Sequence, residues 1–241
     1  MSKPLRRPRV IRWLAAIVGV AAASFGAFEV SRWPDVAALA TERPESTAFI
    51  ERYRERQRAA GMKDRPEWKA VPYARISDEL KVAVLVAEDI DFFSHRGFAV
   101  AELKKAIAEA WEEGEAPRGA STLTQQLAKN LWLSPSRNPW RKVKEALLTR
   151  ALEKHLAKRR ILDLYLNVVE FGPGVYGAEA AARRYFAKPA AALSSAEAAA
   201  LAGGLPKPSS WHPGSSSKVY RSRVTRIERR MARASWLRNE I

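Results

Sequence analysis

The hydrophobic positions of the chain begin with one uninterrupted N-terminal run. Trp13 to Phe28 contains no charged residue and is about 24 Å long as a helix, somewhat short of a hydrocarbon core. Residues 1–12 before it hold only basic charges. The pattern predicts a cytoplasmic tail (1–12) and a transmembrane anchor (13–33), with the rest of the chain exported. The alternative is a cleaved signal peptide, because Ala21-Ala22-Ala23 offers small residues for cleavage.

Behind the anchor, the hydrophobic spacing is helical almost throughout and shows no strong strand alternation. We predict a juxtamembrane segment over residues 34–75, with one helix near 46–60, followed by a mostly α domain over residues 76–241. In that domain, capping residues and apolar spacing predict helices from Asp78 onward, over 100–113, from Thr122 onward, and over 138–167, 177–186, 194–202 and 218–237.

The charge balance indicates an anionic partner. The chain has 42 Lys and Arg against 26 Asp and Glu, a formal net charge of +16, which suits nucleic acid, anionic lipid or a phosphorylated substrate. Predicted export argues against nucleic acid. The basic regions 118–160 and 218–241 favour anionic lipid head groups, although the second is equally typical of a solvated helix face. No Cys is present and the three His are far apart, which excludes thiol chemistry and disfavours a metal site.

The first candidate site follows the apolar run VAVLVAED, which ends at Glu88 and Asp89. A carboxylate at the boundary between core and cleft has a raised pKa through partial desolvation, which suits a general base. The residues DFFSHRG come next and include Phe92 and His95. The structural alternative is an ordinary solvated helix end.

The second candidate site is a polar helix start. Ser121 and Thr122 precede Gln125 and Gln126, and Lys129 lies one turn beyond. Hydroxyls, amides and backbone N–H groups at a helix start form an anion-tolerant surface. An N-cap without a binding role is the simpler interpretation.

The third candidate site is an adjacent pair of cations, Arg141 and Lys142. An Arg fork and a Lys point charge can together hold a diphosphate. Glu145 shares the face of Arg141 at i+4, so an ordinary ion pair on a solvated helix is the alternative.

Together these motifs strongly resemble the peptidoglycan glycosyltransferases, glycosyltransferase family 51, in the monofunctional biosynthetic branch of proteobacterial type. The resemblance covers about residues 46–208. It rests on the ordered motifs Glu88-Asp-x-x-Phe92-x-x-His95-x-Gly97, Gly119-x-Ser-Thr-x-x-Gln-Gln126, Arg141-Lys-x-x-Glu145 and Lys158-x-x-Ile161-Leu-x-x-Tyr165-Leu-Asn167.

The resemblance implies a lysozyme-like, two-lobed helical domain that polymerises lipid II into β-1,4 glycan strands, with inversion and release of undecaprenyl diphosphate. It implies Glu88 as the base, Arg141 and Lys142 as cations for the leaving group with Lys129 as a further one, and Glu145 as their orienting residue or as a holder of a divalent ion. The cleft-lining residues it implies are Asp89, Phe92, His95, Ser121, Thr122, Gln125 and Gln126.

The expected partners follow from the same resemblance. They are lipid II, the growing glycan on its lipid and the inner membrane, with cell-wall synthesis proteins left open and no nucleic acid. The catalytic domain is expected in the periplasm on a single-pass anchor. No cofactor and no dedicated metal site is expected, although stimulation by Mg²⁺ or Mn²⁺ is left open. Two rival functions are a lytic glycosidase of similar fold and a non-catalytic, membrane-anchored protein that recruits cell-wall machinery.

Overall fold

The computed structural model describes residues 7–99, 121–133 and 138–241, and the chain divides into two compact units, Met1–Asp35 and Val36–Ile241. The first unit is helix α1 (Arg7–Ser31). Its part Trp13–Ser31 is long and apolar enough to cross a membrane. This agrees with the predicted anchor, and a cleaved signal peptide would have the same signature. The helix predicted over 100–113 lies outside the described residues.

The second unit is mostly helical, which confirms the predicted fold class and is consistent with a lysozyme-like domain. Short 3₁₀ turns cover Ala37–Ala40, Tyr73–Arg75, Ala190–Ala192 and Ser235–Asn239. The described α-helices are α2 (Ala48–Ala59), α3 (Asp78–Glu88), α4 (Leu123–Trp132), α5 (Pro139–His155), α6 (Lys158–Val168), α7 (Ala178–Phe186), α8 (Ser195–Gly204) and α9 (Lys218–Arg233).

Helix α3 lies at the centre of this unit. It packs against α8 and α9, and every residue from Leu80 to Val86 is buried. Even Lys81 is buried, because its ammonium lies 2.8 Å from the Asp78 carboxylate and 4.2 Å from the centre of the Tyr73 ring. This part of the helix is therefore buried on all sides.

The helix predicted over 138–167 is two helices, so that prediction is wrong. The backbone of Leu156 and Ala157 is extended (ψ 142° and 150°) between α5 and α6. A straight helix of this length would measure about 45 Å, and its apolar residues could not all reach one core. The break lets Leu156 continue the buried face of α5 while α6 turns its own apolar residues inward.

A small sheet also departs from the sequence prediction. Strands β1 (Glu67–Trp68), β2 (Glu170–Gly172) and β3 (Val175–Tyr176) pair in the order β1-β3-β2. The β1–β3 pair is parallel and the β2–β3 pair is antiparallel. Strands of two or three residues are too short to show alternation, which is why the pattern of the sequence does not reveal them.

Residues 36–75, predicted as a separate juxtamembrane segment, belong to the second compact unit, so the predicted boundary at residue 76 moves to Val36. Leu39 and Ile50 are buried in it. Arg43 of this segment forms an ion pair with Asp163 on α6 at 3.3 Å. Arg160 (2.7 Å) and the Asn167 amide (2.9 Å) bind the same carboxylate. A buried carboxylate is stable only with such partners.

Replacing Asp163 by Asn should therefore lower the free energy of unfolding by about 2 kcal/mol, because two partly exposed guanidinium groups lose their counterion. Chemical denaturation of the detergent-solubilised chain measures the change. The matched control is Glu51→Gln, whose pair with Arg54 is largely exposed and should be worth about 0.5 kcal/mol. Equal losses in the two variants would contradict the structural role of Asp163.

Candidate active site

Glu88 is the last residue of α3, and its side chain is only 12% exposed. Both carboxylate oxygens have partners from other helices. Oε1 accepts a hydrogen bond from Arg223 on α9 at 2.8 Å, and Oε2 accepts one from the Gln126 amide on α4 at 2.9 Å. The carboxylate is thus held in one orientation by groups far away in sequence.

Arg223 also neutralises the end of α3. The C-terminus of a helix carries partial negative charge and is an unfavourable place for a carboxylate. The guanidinium donates both to the Ala87 carbonyl (3.2 Å) and to Glu88. One cation therefore satisfies a terminal carbonyl and offsets the charge of the carboxylate beside it.

Gln126 is itself fixed by a buried tyrosine. The hydroxyl of Tyr165, on α6, donates to Oε1 of Gln126 at 2.8 Å, which leaves the NH₂ end of the amide for Glu88. The Tyr165 ring is fully buried. Burial raises the pKa of Tyr165 well above its usual value, with smaller contributions from Glu88 and Asp89, so the hydroxyl remains a donor.

The environment of Glu88 makes it a stronger base than an ordinary carboxylate. Burial raises its pKa, and this outweighs the opposing effects of the Gln126 hydrogen bond and of the charges on Arg223 and Lys129. A raised pKa increases the affinity of the carboxylate for a proton. The sequence prediction of a partly desolvated carboxylate at the end of an apolar helix agrees with this geometry.

Asp89 joins the loop after α3 to the start of α4. Its carboxylate accepts from the backbone N–H of Leu123 (2.9 Å) and from His95 Nε2 (2.9 Å). Gly97 N–H donates to Nδ1 of the same imidazole at 3.1 Å, so the ring proton is on Nε2. An acid at a helix N-terminus is favourable.

The start of α4 is a capping box. Thr122 accepts from the Gln125 backbone, while the Gln125 side chain accepts from the Thr122 N–H. The Thr122 hydroxyl donates to the Gly97 carbonyl at 2.7 Å. Ser121 is exposed just before the cap. Contact of Ser121, Thr122 and Gln125 with substrate stays a prediction, as it does for Asp89 and His95.

Phe92 is placed differently from the expectation of a cleft-lining ring. It is 0% exposed, because His95 and Phe93 pack edge-on against it and the Lys158 ammonium lies 4.4 Å from its centre. The ring therefore supports the loop behind Glu88 and offers no surface to a sugar in this structure.

The cations predicted for a diphosphate converge on Glu145. The Glu145 carboxylate, 3% exposed, accepts from Lys142 Nζ at 2.6 Å and from Arg141 at 3.3 Å. The Lys142 side chain is nevertheless 61% exposed. Helix α5 thus presents an accessible ammonium beside a guanidinium, both oriented by a buried anion.

Lys129 on α4 connects this cluster to Glu88. Burial lowers the pKa of Lys129, the charges of Glu145 and Glu88 oppose that shift, and those of Lys142 and Arg141 add to it. One half-buried lysine is therefore within electrostatic reach of both groups. Glu88, the predicted base, and the predicted cations Arg141 and Lys142 therefore all lie near enough to Lys129 to influence its charge.

A bound metal ion finds no ready ligand set here. Within residues 7–99, 121–133 and 138–241, no three His, Asp or Glu side chains converge as metal ligands do. Glu145 is already paired with two cations. Stimulation by Mg²⁺ or Mn²⁺ stays a prediction.

Sequence reasoning missed Arg223 and assigned no role to Tyr165. Arg223 is one of eight basic residues in 218–241, so its charge alone did not distinguish it. The available signal was its place on the helix. It precedes the buried Ile227 by four residues and so lies on the apolar face of α9.

Comparison with known proteins shows the family of this chain. The model of the transglycosylase family matches residues 55–232. This chain belongs to the transglycosylase family. Among similar proteins are the biosynthetic peptidoglycan transglycosylases of Thiobacillus denitrificans (44% identical over 220 residues, 91% of this chain and 95% of the relative) and Azoarcus sp. (42% over 225 residues, 92% and 95%). That of Laribacter hongkongensis is 36% identical over 222 residues, 92% and 97% of the two chains.

The family and these relatives identify the chain as a peptidoglycan glycosyltransferase of cell-wall synthesis. The resemblance drawn from the motifs is confirmed. In a glycosyltransferase, the roles of Glu88 and of the cations around Glu145 can be tested by measuring the rate of glycan transfer.

Arg223→Gln should move the acidic limb of the pH–rate profile to higher pH. The guanidinium lowers the pKa of Glu88, so its removal raises that pKa further, and a base must be ionised to act. Arg223→Lys keeps a positive charge beside Glu88, so its acidic limb should lie close to that of the parent chain. A limb that stays in place in the Gln variant would show that Arg223 does not set the ionisation of the base.

Proposed function

We propose that this peptidoglycan glycosyltransferase polymerises lipid II, with Glu88 as general base and the Arg141–Lys142 pair as the electrophilic end of the site. Two geometric features carry the proposal together. One is a buried carboxylate, Glu88, held by two hydrogen bonds, and the other is a cation pair oriented by a buried acid. Lys129 lies within electrostatic reach of both, as a transfer between a sugar hydroxyl and a sugar diphosphate would need.

The base acts on the acceptor. The 4-hydroxyl of the acceptor GlcNAc is far too weak an acid to attack unaided, so its proton must be accepted as the new bond forms. Glu88 is suited to this because burial raises its pKa while Gln126 and Arg223 fix its orientation. The oxygen then attacks the anomeric carbon of the growing chain, and the proton stays on Glu88.

The cations act on the leaving group. The bond from the anomeric carbon to the diphosphate oxygen breaks as the new glycosidic bond forms, and its electron pair leaves with undecaprenyl diphosphate. Arg141, Lys142 and Lys129 stabilise the growing negative charge. Glu145 is a positioning residue, since its bonds to Arg141 and Lys142 hold both cations in place.

Inversion at the anomeric carbon is part of the same proposal. Attack from the face opposite the leaving group inverts the anomeric centre from α to β, as in inverting glycosidases, with a sugar hydroxyl in place of water. A lytic glycosidase would need no cation cluster for a diphosphate. The convergence of Arg141, Lys142 and Lys129 therefore favours synthesis over cleavage.

The membrane arrangement belongs to the same proposal. The apolar helix Trp13–Ser31 would anchor the chain in the inner membrane, with its basic N-terminus in the cytoplasm and the catalytic unit in the periplasm. Lipid II is itself a membrane lipid, so anchoring raises its local concentration at the site. Association with other cell-wall synthesis proteins stays a prediction.

Glu88→Gln should abolish polymerisation of lipid II while leaving lipid II binding largely intact, because Gln keeps the shape of the side chain and cannot accept the proton. Glycan product and lipid II binding are measured on the same purified preparation. Incubation with finished glycan strands tests the lytic alternative. A variant that still polymerises at the normal rate would remove Glu88 from the role of base, and cleavage of finished strands would favour the glycosidase.

Lys142→Ala should lower the rate of transfer at least about tenfold, or about 1.4 kcal/mol, because a cation facing the leaving diphosphate is lost. Single-turnover kinetics with lipid II measures the effect. The matched control is Lys154→Ala, an exposed lysine at the other end of α5. The account of the leaving group would fail if both variants retained the normal rate.

A further inference from the structure

Helix α9 has two chemically different faces. Its inner face buries Tyr220, Ile227 and Met231 and places Arg223 against Glu88. Its outer face is basic. The exposed cations on it are Lys218, Arg221, Arg226, Arg229, Arg230 and Arg233.

The positive charges of the outer face are not compensated by acidic side chains in the part of the chain that the structure describes. No carboxylate among the described residues forms an ion pair with any of these six cations. At 100° per residue they cover one half of the helix, and Glu228, the single acid of α9, is half-buried at its margin. The result is a row of like charges about 24 Å long.

Exposed apolar side chains lie near both ends of α9. Val219, at the start of α9, is 62% exposed, and Trp236, just beyond its end, is 48% exposed. Trp is enriched where a protein meets the head groups of a bilayer. Cations flanked by such residues fit an anionic lipid surface better than they fit bulk water.

We propose that the outer face of α9 binds the surface of an anionic phospholipid bilayer. The proposal rests on the membrane anchoring in the proposed function. Only residues 32–35 separate the apolar helix from Val36, where the folded unit begins, so an anchored chain keeps that unit close to lipid. Electrostatic attraction acts within about one Debye length, so a unit tethered this closely can bind through the basic face when α9 faces the bilayer.

Lipid contact on the outer face would act on the same helix that holds the counterion of the base. Arg223 projects from the inner face of α9 to Glu88 and to the end of α3. A helix bound on one side by lipid and on the other by α3 and α8 is more firmly positioned than one bound on a single side. The bilayer would thereby support the geometry of the site.

The chain contains no Cys, which permits a direct measurement with one introduced thiol. Ser222, exposed in the middle of the basic face, is changed to Cys and labelled with a fluorophore. The full chain is reconstituted in nanodiscs of phosphatidylcholine, with or without phosphatidylglycerol, each containing a nitroxide-labelled lipid. We expect the nitroxide lipid to quench the fluorophore more strongly in the anionic bilayer than in pure phosphatidylcholine. In R226Q/R229Q/R233Q, the quenching in the anionic bilayer should fall by about twofold or more.

The matched control is K63Q/R65Q/R75Q, which removes the same charge from exposed residues elsewhere in the folded unit and should leave the quenching unchanged. Both triple variants should retain the transfer rate of the parent in detergent, which shows that the fold is intact. Lipid-dependent quenching that is lost in the α9 variant alone supports the proposal.

Several results would overturn the proposal. Equal quenching in the two bilayers, or an equal loss in both triple variants, would show that the face does not recognise anionic lipid. If neither bilayer quenched the fluorophore, the outer face of α9 would face solvent or bind an acidic protein. If the chain failed to co-purify with nanodiscs, the proposed anchoring would be overturned as well. If the quenching still depended on anionic lipid but the chain did not polymerise lipid II, only the proposed function would be contradicted.

Discussion

The site depends on a carboxylate that is kept ionisable in a place where burial opposes its charge. Burial alone would raise the pKa of Glu88 further and leave less of it ionised and able to accept a proton, whereas full exposure would leave it a weak base. The guanidinium of Arg223, the amide of Gln126 and the charge of Lys129 offset part of the cost of burial. The structure around Glu88 is therefore a balance between desolvation and compensation.

That balance explains the arrangement of the helices. Glu88 and Arg223 are 135 positions apart in sequence, so their contact exists only because α9 packs against α3 and α8. Gln126 reaches Glu88 because Asp89 binds the first N–H of α4, and Tyr165 on α6 turns the amide. The packing of the core thereby determines the chemistry of one carboxylate.

Local signals in the sequence predicted much of this unit. Helices α3 and α4 begin where the sequence predicted, with Ser77 and Thr122 as their caps, and the motif spacing selected Glu88, Lys129 and the Arg141–Lys142 pair as candidates. The break at Leu156 was not predicted, because the apolar spacing is continuous through it and only the core decides where the chain must turn. Arg223 was missed for a similar reason, since its partner is defined by tertiary packing.

In the proposed mechanism, the second end of the site needs a buried acid among the cations that face the diphosphate. Without Glu145, the like charges of Arg141, Lys142 and Lys129 would repel one another, and a stronger positive field would bind the product diphosphate more tightly, which does not accelerate the reaction. Glu145 offsets one of the three positive charges and orients Arg141 and Lys142. In the proposed reaction, the remaining excess of positive charge would stabilise the departing diphosphate as its own charge grows, and Glu145 would limit that excess so that the product can leave.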